Sequence, residues 1–345
     1  MRDYFVWGQM VDKNIKNNIF ITGAAGYVGR NLVNKLGLSN NNKIFALIRK
    51  PGEHFDKGIE VVVGDILNPA SFTSVLNKCD LVFHCASYIS FKKKDFQQAY
   101  EVNVEGTRNI LEAANQTGVK KVVHLSACAV LGFSTDKNKV INENANPEIT
   151  KDNVYAYTKK LAEEKVQKYV QKGLDISIAN IATVYGQGDG NLNSGTIIKS
   201  IYEGKMRLIP PGGTSFVSVD DLIDGLLLLA QKGKAGERYI FCTENMEYKI
   251  LFQRIAKTLN LKEVRFKLPQ FTYSPVLLAI KCVEPFLSLT RNGINLLTPQ
   301  ILKETYGYKY FTSKKAREEL GWKSSQNFEE TVQKAFNYYK ENNLI

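Results

Sequence analysis

A short apolar run, Ile19-Phe20-Ile21, leads directly into Thr22-Gly23-Ala24-Ala25-Gly26-Tyr27-Val28-Gly29, and Tyr27 to Leu36 then reads as a helix. Strand, glycine turn, helix is the opening of a parallel-sheet crossover, which narrows the choice of fold sharply. Gly23 permits the tight turn, Gly26 leaves bare backbone for a pyrophosphate to approach, and Gly29 lets the helix pack against the strand. The helix start at Tyr27 and Val28 then faces the anion, favoured by its free N–H groups and its dipole. The spacing is Gly-x-x-Gly-x-x-Gly rather than the commoner Gly-x-Gly-x-x-Gly, and a structural turn without a ligand is the competing reading.

A second element lies far downstream. In Tyr155-Ala-Tyr-Thr-Lys159-Lys-Leu-Ala-Glu-Glu-Lys, strong helix formers place Tyr155 and Lys159 one turn apart on one face. An ammonium so placed favours the phenolate and is expected to pull Tyr155 from its usual value near 10 toward neutrality. The hydroxyl then becomes a usable proton donor to a carbonyl, or an acceptor from an alcohol. The competing reading is an amphipathic helix with an incidental tyrosine and lysine.

Short β runs alternate with helical segments along the first half: Lys43 to Ile48, Ile59 to Val63, Leu81 to His84, Lys121 to Ser126 and Asp175 to Ala179 follow the first strand. Phe96 to Thr117 and Tyr155 to Lys172 read as long helices. The expected fold class is α/β, a doubly wound parallel sheet with a smaller, mostly helical C-terminal lobe. The expected divisions are an N-terminal extension over 1–17, a dinucleotide-binding domain over 18–185, and a substrate lobe over 186–215 and 244–345. Residues 216–243 are expected to return to the sheet, with Phe216-Val-Ser-Val as its further strand and Asp220 to Gln231 as the helix after it.

Composition excludes several classes. The longest apolar stretch, Val276 to Ile280, is soon broken by Lys281, Glu284 and Pro285, far short of the roughly 20 residues a membrane span needs. Five scattered cysteines without metal spacing suit reduced thiols in a cytoplasmic protein, and with only three histidines no structural zinc site is expected. The net charge of +12 comes from lysines spread along the sequence, so a solvated basic surface is expected rather than a nucleic-acid face. At the end of the second strand an NAD enzyme would carry Asp or Glu, whereas here Arg49 and Lys50 stand. A guanidinium there can fork onto a 2′-phosphate, so NADP(H) is the expected cofactor, NAD(H) the alternative, and Arg30 a further contact.

Taken in order, these motifs resemble the extended short-chain dehydrogenases/reductases, the NAD-dependent epimerase/dehydratase family. The likeness also rests on Gly64-Asp65-Ile66, Phe83-His84-Cys85-Ala86-Ser87, Asn103-Val-Glu-Gly-Thr-Arg-Asn-Ile-Leu-Glu-Ala, Val184-Tyr185-Gly186-Gln-Gly-Asp189, Phe216-Val-Ser-Val-Asp-Asp221 and Leu320-Gly-Trp. The tail is most similar to the dihydroflavonol-reductase-like and 3β-hydroxysteroid-dehydrogenase-like branch. The resemblance implies hydride exchange between nicotinamide and a carbonyl or secondary alcohol, with Tyr155 as acid/base and Lys159 also on the nicotinamide ribose. It further implies Asp65 and Ile66 beside the adenine, Ala86 in the cofactor site, and a homodimer formed through the two long helices.

Two positions depart from the family. Aligned on Val130-Leu131-Gly132, its usual hydroxyl pair falls on Ser126 and Ala127, and the second of these is ordinarily catalytic. Ala127 has no hydroxyl, so Ser126 is the expected substitute, with Cys128 a weaker one. Asn180-Ile181 stands where many members have Arg-Pro. The reading is an NADP-dependent oxidoreductase of a small or lipid-like substrate; a nucleotide-sugar epimerase or reductase using NAD and a non-catalytic dinucleotide-binding protein are the alternatives.

Overall fold

Seven parallel strands form the central sheet in the order β10-β6-β5-β4-β1-β2-β3. They are β1 (Asn17–Thr22), β2 (Asn42–Ile48), β3 (Ile59–Val63), β4 (Leu81–His84), β5 (Lys121–Ala127), β6 (Ile176–Ile181) and β10 (Arg238–Phe241). The computed structural model describes residues 17–38, 42–53, 55–56, 58–287 and 298–345. The extension expected over 1–17 lies outside these, except for Asn17, which opens β1.

Apolar side chains explain why the sheet is covered on both faces. Along β1 the alternation sends Ile19 and Ile21 to one cluster, with Leu32 and Val33 of the helix Tyr27–Gly37 and Leu222 and Leu226 of the helix Val219–Lys232. Phe20 goes to the other, with Ile110 and Leu111 of the helix Gly106–Thr117 and Val166 of the helix Val154–Gln171. Strand order reverses at β1 and β4, where the C-terminal strand ends open the crevice that doubly wound folds use for ligands.

The segment after residue 185 differs from the sequence expectation. Phe216-Val-Ser-Val belongs to β9 (Gly213–Ser218), which joins a separate three-stranded sheet between β7 (Thr183–Tyr185) and β11 (Glu244–Glu247). Ser218 caps the next helix, accepting the Asp221 N–H at 3.0 Å, and that helix crosses back to the central sheet. The strand that returns is β10, whose buried Tyr239, Ile240 and Phe241 pair with β6. A strand followed by a helix looks alike in sequence whether or not its strand joins the same sheet.

The helix expected over Phe96 to Thr117 is also modified. It runs as Phe96–Tyr100 and Gly106–Thr117 joined by a π-helical turn, Glu101–Glu105. Beyond the sheet, a third cluster containing Tyr185, Ile198, Phe216, Phe252, Phe328 and Phe336 forms the core of the C-terminal lobe.

The chain is closed by Trp322, whose ring stacks edge-on against Phe241 at 5.5 Å and whose indole N–H donates to the Asp221 carbonyl at 2.8 Å. The buried Asp221 carboxylate accepts from Ser324, Ser325 and Gln326. Trp322→Ala leaves a cavity against β10 and removes a donor, and should cost about 3–5 kcal/mol, read as a lowered urea midpoint.

Candidate active site

The glycine turn is built as its residue types require. Gly23 has φ +64°, and a Cβ there would lie 2.7 Å from the Ala86 nitrogen, so both backbone angle and contact demand glycine. A Cβ on Gly29 would overlap the Gly23 carbonyl oxygen, which is how the helix sits so close to β1. Gly26 is exposed and caps the helix Tyr27–Gly37 without a side chain, and the first turn carries no acidic residue. An open, uncapped helix N-terminus with a glycine cradle fits a diphosphate. Tyr27 and Val28 contribute backbone only at that end; the Tyr27 hydroxyl is buried without a partner.

The loop after β4 is tied to this turn through a neutral histidine. Thr107 donates its single hydroxyl proton to the Asn103 carbonyl at 2.6 Å, so it must accept from His84 Nε2–H at 2.9 Å. His84 Nδ1 is then bare and accepts from the Thr22 hydroxyl at 2.7 Å, while the Thr22 oxygen accepts the Ala86 N–H at 3.1 Å. One directed chain therefore links helix Gly106–Thr117, β4, β1 and Ala86. Burial, with the nearby Lys159 ammonium, pulls His84 down to about 3, which keeps this tautomer uncharged.

Asn103 holds the next residues. The π-helical turn presents its buried amide so that Oδ1 accepts from Tyr88 N–H at 2.8 Å and from the Ser87 hydroxyl at 3.1 Å. Its Nδ2 donates to the Tyr88 carbonyl at 2.9 Å and to Thr158 on the helix Val154–Gln171 at 3.0 Å. Tyr155 is on that same helix, and its ring meets Phe91 edge-on at 6.1 Å.

Lys159 is buried and donates from Nζ to the Leu125 carbonyl at 2.6 Å. Burial pulls it down to about 8 while Glu163 and Cys85 act upward. Tyr155 is not lowered as its neighbour Lys159 led us to expect; burial pushes it up to about 12, against the opposing Ser87 hydrogen bond. The ammonium is drawn toward the Leu125 carbonyl, and the phenol's desolvation dominates.

Ser126 is not brought to the Tyr155 hydroxyl. β alternation turns it under the sheet, where its hydroxyl donates to Glu163 Oε1. Glu163 Oε1 also accepts from Asn180 at 2.8 Å and Oε2 from Arg238 at 2.7 Å, so Ser126 belongs to a buried structural network. Cys128 donates its thiol to the Asn180 carbonyl at 3.4 Å. Ala127 is left at the end of β5 without a hydroxyl, and Ser87 stands where sequence reasoning placed nothing. Its signal was present as the hydroxyl residue directly after Ala86.

At the outer end, Arg49 and Lys50 are exposed after β2. Arg30, expected as a further contact to the 2′-phosphate, is paired with Glu53 and stacked over Phe55 at 4.9 Å. Asp65 is occupied in its own turn, accepting the Leu67 N–H at 2.9 Å, and Ile66 is buried against Gly106. The described residues contain no group of three or more His, Cys, Asp or Glu side chains able to hold a metal ion. All five cysteines are unpaired. Among the described residues no helix is long and apolar enough to cross a membrane.

Residues 19–242 match the model of the NAD dependent epimerase/dehydratase family, and the chain belongs to that family, as an enzyme of the extended short-chain dehydrogenase/reductase type. It is 29% identical over 253 residues to sterol demethylase protein B of Methylococcus capsulatus, covering 72% of this chain and 76% of that protein. Over 343 residues it is 26% identical to a 3-beta-hydroxysteroid dehydrogenase of Mycolicibacterium neoaurum, covering 93% and 91% of the two chains. The crystal structure of gox2253 superposes with a TM-score of 0.81 at 26% identity, covering 94% of this chain and 98% of that one.

Gly26→Val places a branched side chain over the uncapped helix end, and its only close neighbour would be the Gly23 oxygen at 3.1 Å. The variant should fold with an unchanged far-UV circular dichroism spectrum and lose dinucleotide binding, measured by quenching of protein fluorescence; retained affinity would show that the diphosphate lies elsewhere.

Proposed function

We propose that this protein is an NADP(H)-dependent oxidoreductase acting on a carbonyl or secondary alcohol of a small or lipid-like molecule, as a cytoplasmic homodimer. The observation that carries the reading is the placement of the Tyr155 hydroxyl and the Lys159 ammonium on one helix, beside the loop that packs on the Gly23 turn. The turn and helix end hold the diphosphate, Lys159 faces the ribose, and Arg49 and Lys50 take the 2′-phosphate. When bound, the nicotinamide supplies or accepts hydride. Tyr155 delivers its proton to the carbonyl oxygen in reduction and takes it back from the alcohol in oxidation. Lys159 stabilises the tyrosinate left behind.

Two features favour this over a sugar-nucleotide dehydratase or epimerase. No acidic pair follows Ser126, where positions 127 and 128 are Ala and Cys. Asn180 is buried and committed to Glu163 and the Ala127 carbonyl, so it does not replace the arginine that many sugar-diphosphate enzymes present there. A 3-beta-hydroxysteroid dehydrogenase among the relatives supports an apolar substrate. The homodimer is carried over from the family resemblance of the two long helices, Gly106–Thr117 and Val154–Gln171, which lie side by side in one chain.

Purified protein should reduce ketones with NADPH in preference to NADH. Tyr155→Phe should lower kcat by about 10²–10⁴-fold with cofactor affinity nearly intact. Arg49→Asp should weaken NADPH by at least about tenfold relative to NADH, the loss of a charge-assisted contact. Equal wild-type affinities for the two cofactors would overturn the NADP assignment.

A further inference from the structure

A reacting carbonyl oxygen needs more than one hydrogen-bond donor as negative charge gathers on it. At the end of β5 this chain offers Ala127, and Ser126 faces the opposite way with its proton committed to Glu163. A second hydroxyl is nevertheless present beside Tyr155, supplied by a different element. We infer that Ser87, in the loop after β4, is the second hydroxyl donor at the reacting oxygen, taking the part that the β5 residue cannot play. The inference rests on the assignment of Tyr155 as proton donor made above.

Four observations carry it. Ser87 is exposed, while its neighbours in the hydrogen-bond scheme, Asn103 and Thr158, are fully buried, so the residue sits where the buried scaffold opens to solvent. Asn103, which accepts the Ser87 hydroxyl, also donates to Thr158 at 3.0 Å on the helix that carries Tyr155, so Ser87 is held beside that helix, and Ser87 acts to lower the Tyr155 phenol against its burial. It follows Ala86, whose backbone packs on Gly23, so it is placed at the inner end of the cofactor cradle. At rest its proton points to Asn103 Oδ1 at 3.1 Å, a long contact that is readily exchanged. The single Ser87 proton cannot serve Asn103 and a substrate oxygen together. Asn103 can release it without being left unpaired, because Oδ1 keeps the Tyr88 N–H at 2.8 Å. Swinging the Ser87 proton from Asn103 to the substrate oxygen therefore costs one long hydrogen bond on the Asn103 side, together with any contact the Tyr155 hydroxyl makes to Ser87 at rest, and leaves Asn103 paired.

The same count makes the site testable by substitution. In Ser87→Ala, Asn103 retains Tyr88 N–H, Tyr88 C=O and Thr158, so the loop and the helix remain joined. Four proteins are compared in NADPH-dependent ketone reduction: wild type, Ser87→Ala, Ser87→Thr and the double variant Ser87→Ala/Ala127→Ser. Ser87→Ala should lower kcat by about 10²–10³-fold, with NADPH Kd within about twofold of wild type. Ser87→Thr should keep most of the activity, and Ala127→Ser in the Ser87→Ala background should restore at least about tenfold by returning a donor from β5.

A measurement independent of turnover uses 3-fluorotyrosine at position 155, followed by ¹⁹F NMR in the cofactor-free protein. Ser87→Ala should raise the pKa at that site by at least about half a unit, the size of one lost hydrogen bond to the phenolate. A Ser87→Ala kcat within about threefold of wild type, a loss that Ala127→Ser fails to restore, or an unmoved fluorine titration each overturns the assignment. If the wild type reduces no ketone with either cofactor, the oxidoreductase reading fails, and the fluorine titration alone decides the role of Ser87.

Discussion

His84 is where the working parts of this molecule meet, and it works because it is uncharged. A fully buried imidazole with Thr22 on one nitrogen and Thr107 on the other has its tautomer set by the direction of two hydroxyls. Protonation would put a second donor against a Thr22 hydroxyl whose proton already points at it, in an interior that penalises charge and beside the Lys159 ammonium. The glycine turn and the loop that carries Ser87 are thus held in fixed relation by neutral hydrogen bonds. Such bonds do not fade with salt or with pH near neutrality, unlike the ion pairs scattered over the surface.

Charge is used instead beneath the helix that carries Tyr155. Glu163, on that helix, pairs with Arg238 on the edge strand β10 and also receives Ser126 and Asn180. Removing one partner of a buried pair leaves the other uncompensated, so this network fixes the helix against the sheet more firmly than any single contact in it suggests. It also explains why Ser126 is unavailable for chemistry: its hydroxyl helps to satisfy a carboxylate that has almost no contact with water.

Much of this was legible in the chain. Glycines at positions that tolerate no Cβ, and strands of unbroken apolar residues, declare the parallel sheet and the tight turn after β1 directly. Tyr155 and Lys159 fall on one helix, as their spacing requires. What was hidden depends on contacts between segments distant in sequence. The sheet that β9 joins is set by partners at 183–185 and 244–247, which a reading of Phe216-Val-Ser-Val does not contain. The Tyr155 shift follows from burial, a property of the assembled fold. Ser126 is read as the substitute because its neighbour lacks a hydroxyl, whereas strand alternation turns it to the other face, where its hydroxyl finds a partner 37 residues away, Glu163. Ser87 was overlooked because it lies on another strand's loop.

The π-helical turn at Glu101–Glu105 has a consequence for how this chain can change. Such a turn holds one residue more than the α-helix around it requires, so the segments Phe96–Tyr100 and Gly106–Thr117 are out of phase with each other by about one residue's rotation, roughly 100°. Removing one residue there would return the segment to an ordinary helix, with its backbone hydrogen bonds intact and its length hardly altered. The sheet would still be covered and the protein would still fold. Asn103, however, would be swept around the helix axis and away from Tyr88 and Thr158. A single-codon deletion at this place is therefore a route from an enzyme to a well-folded relative that has lost the anchor of its β4 loop.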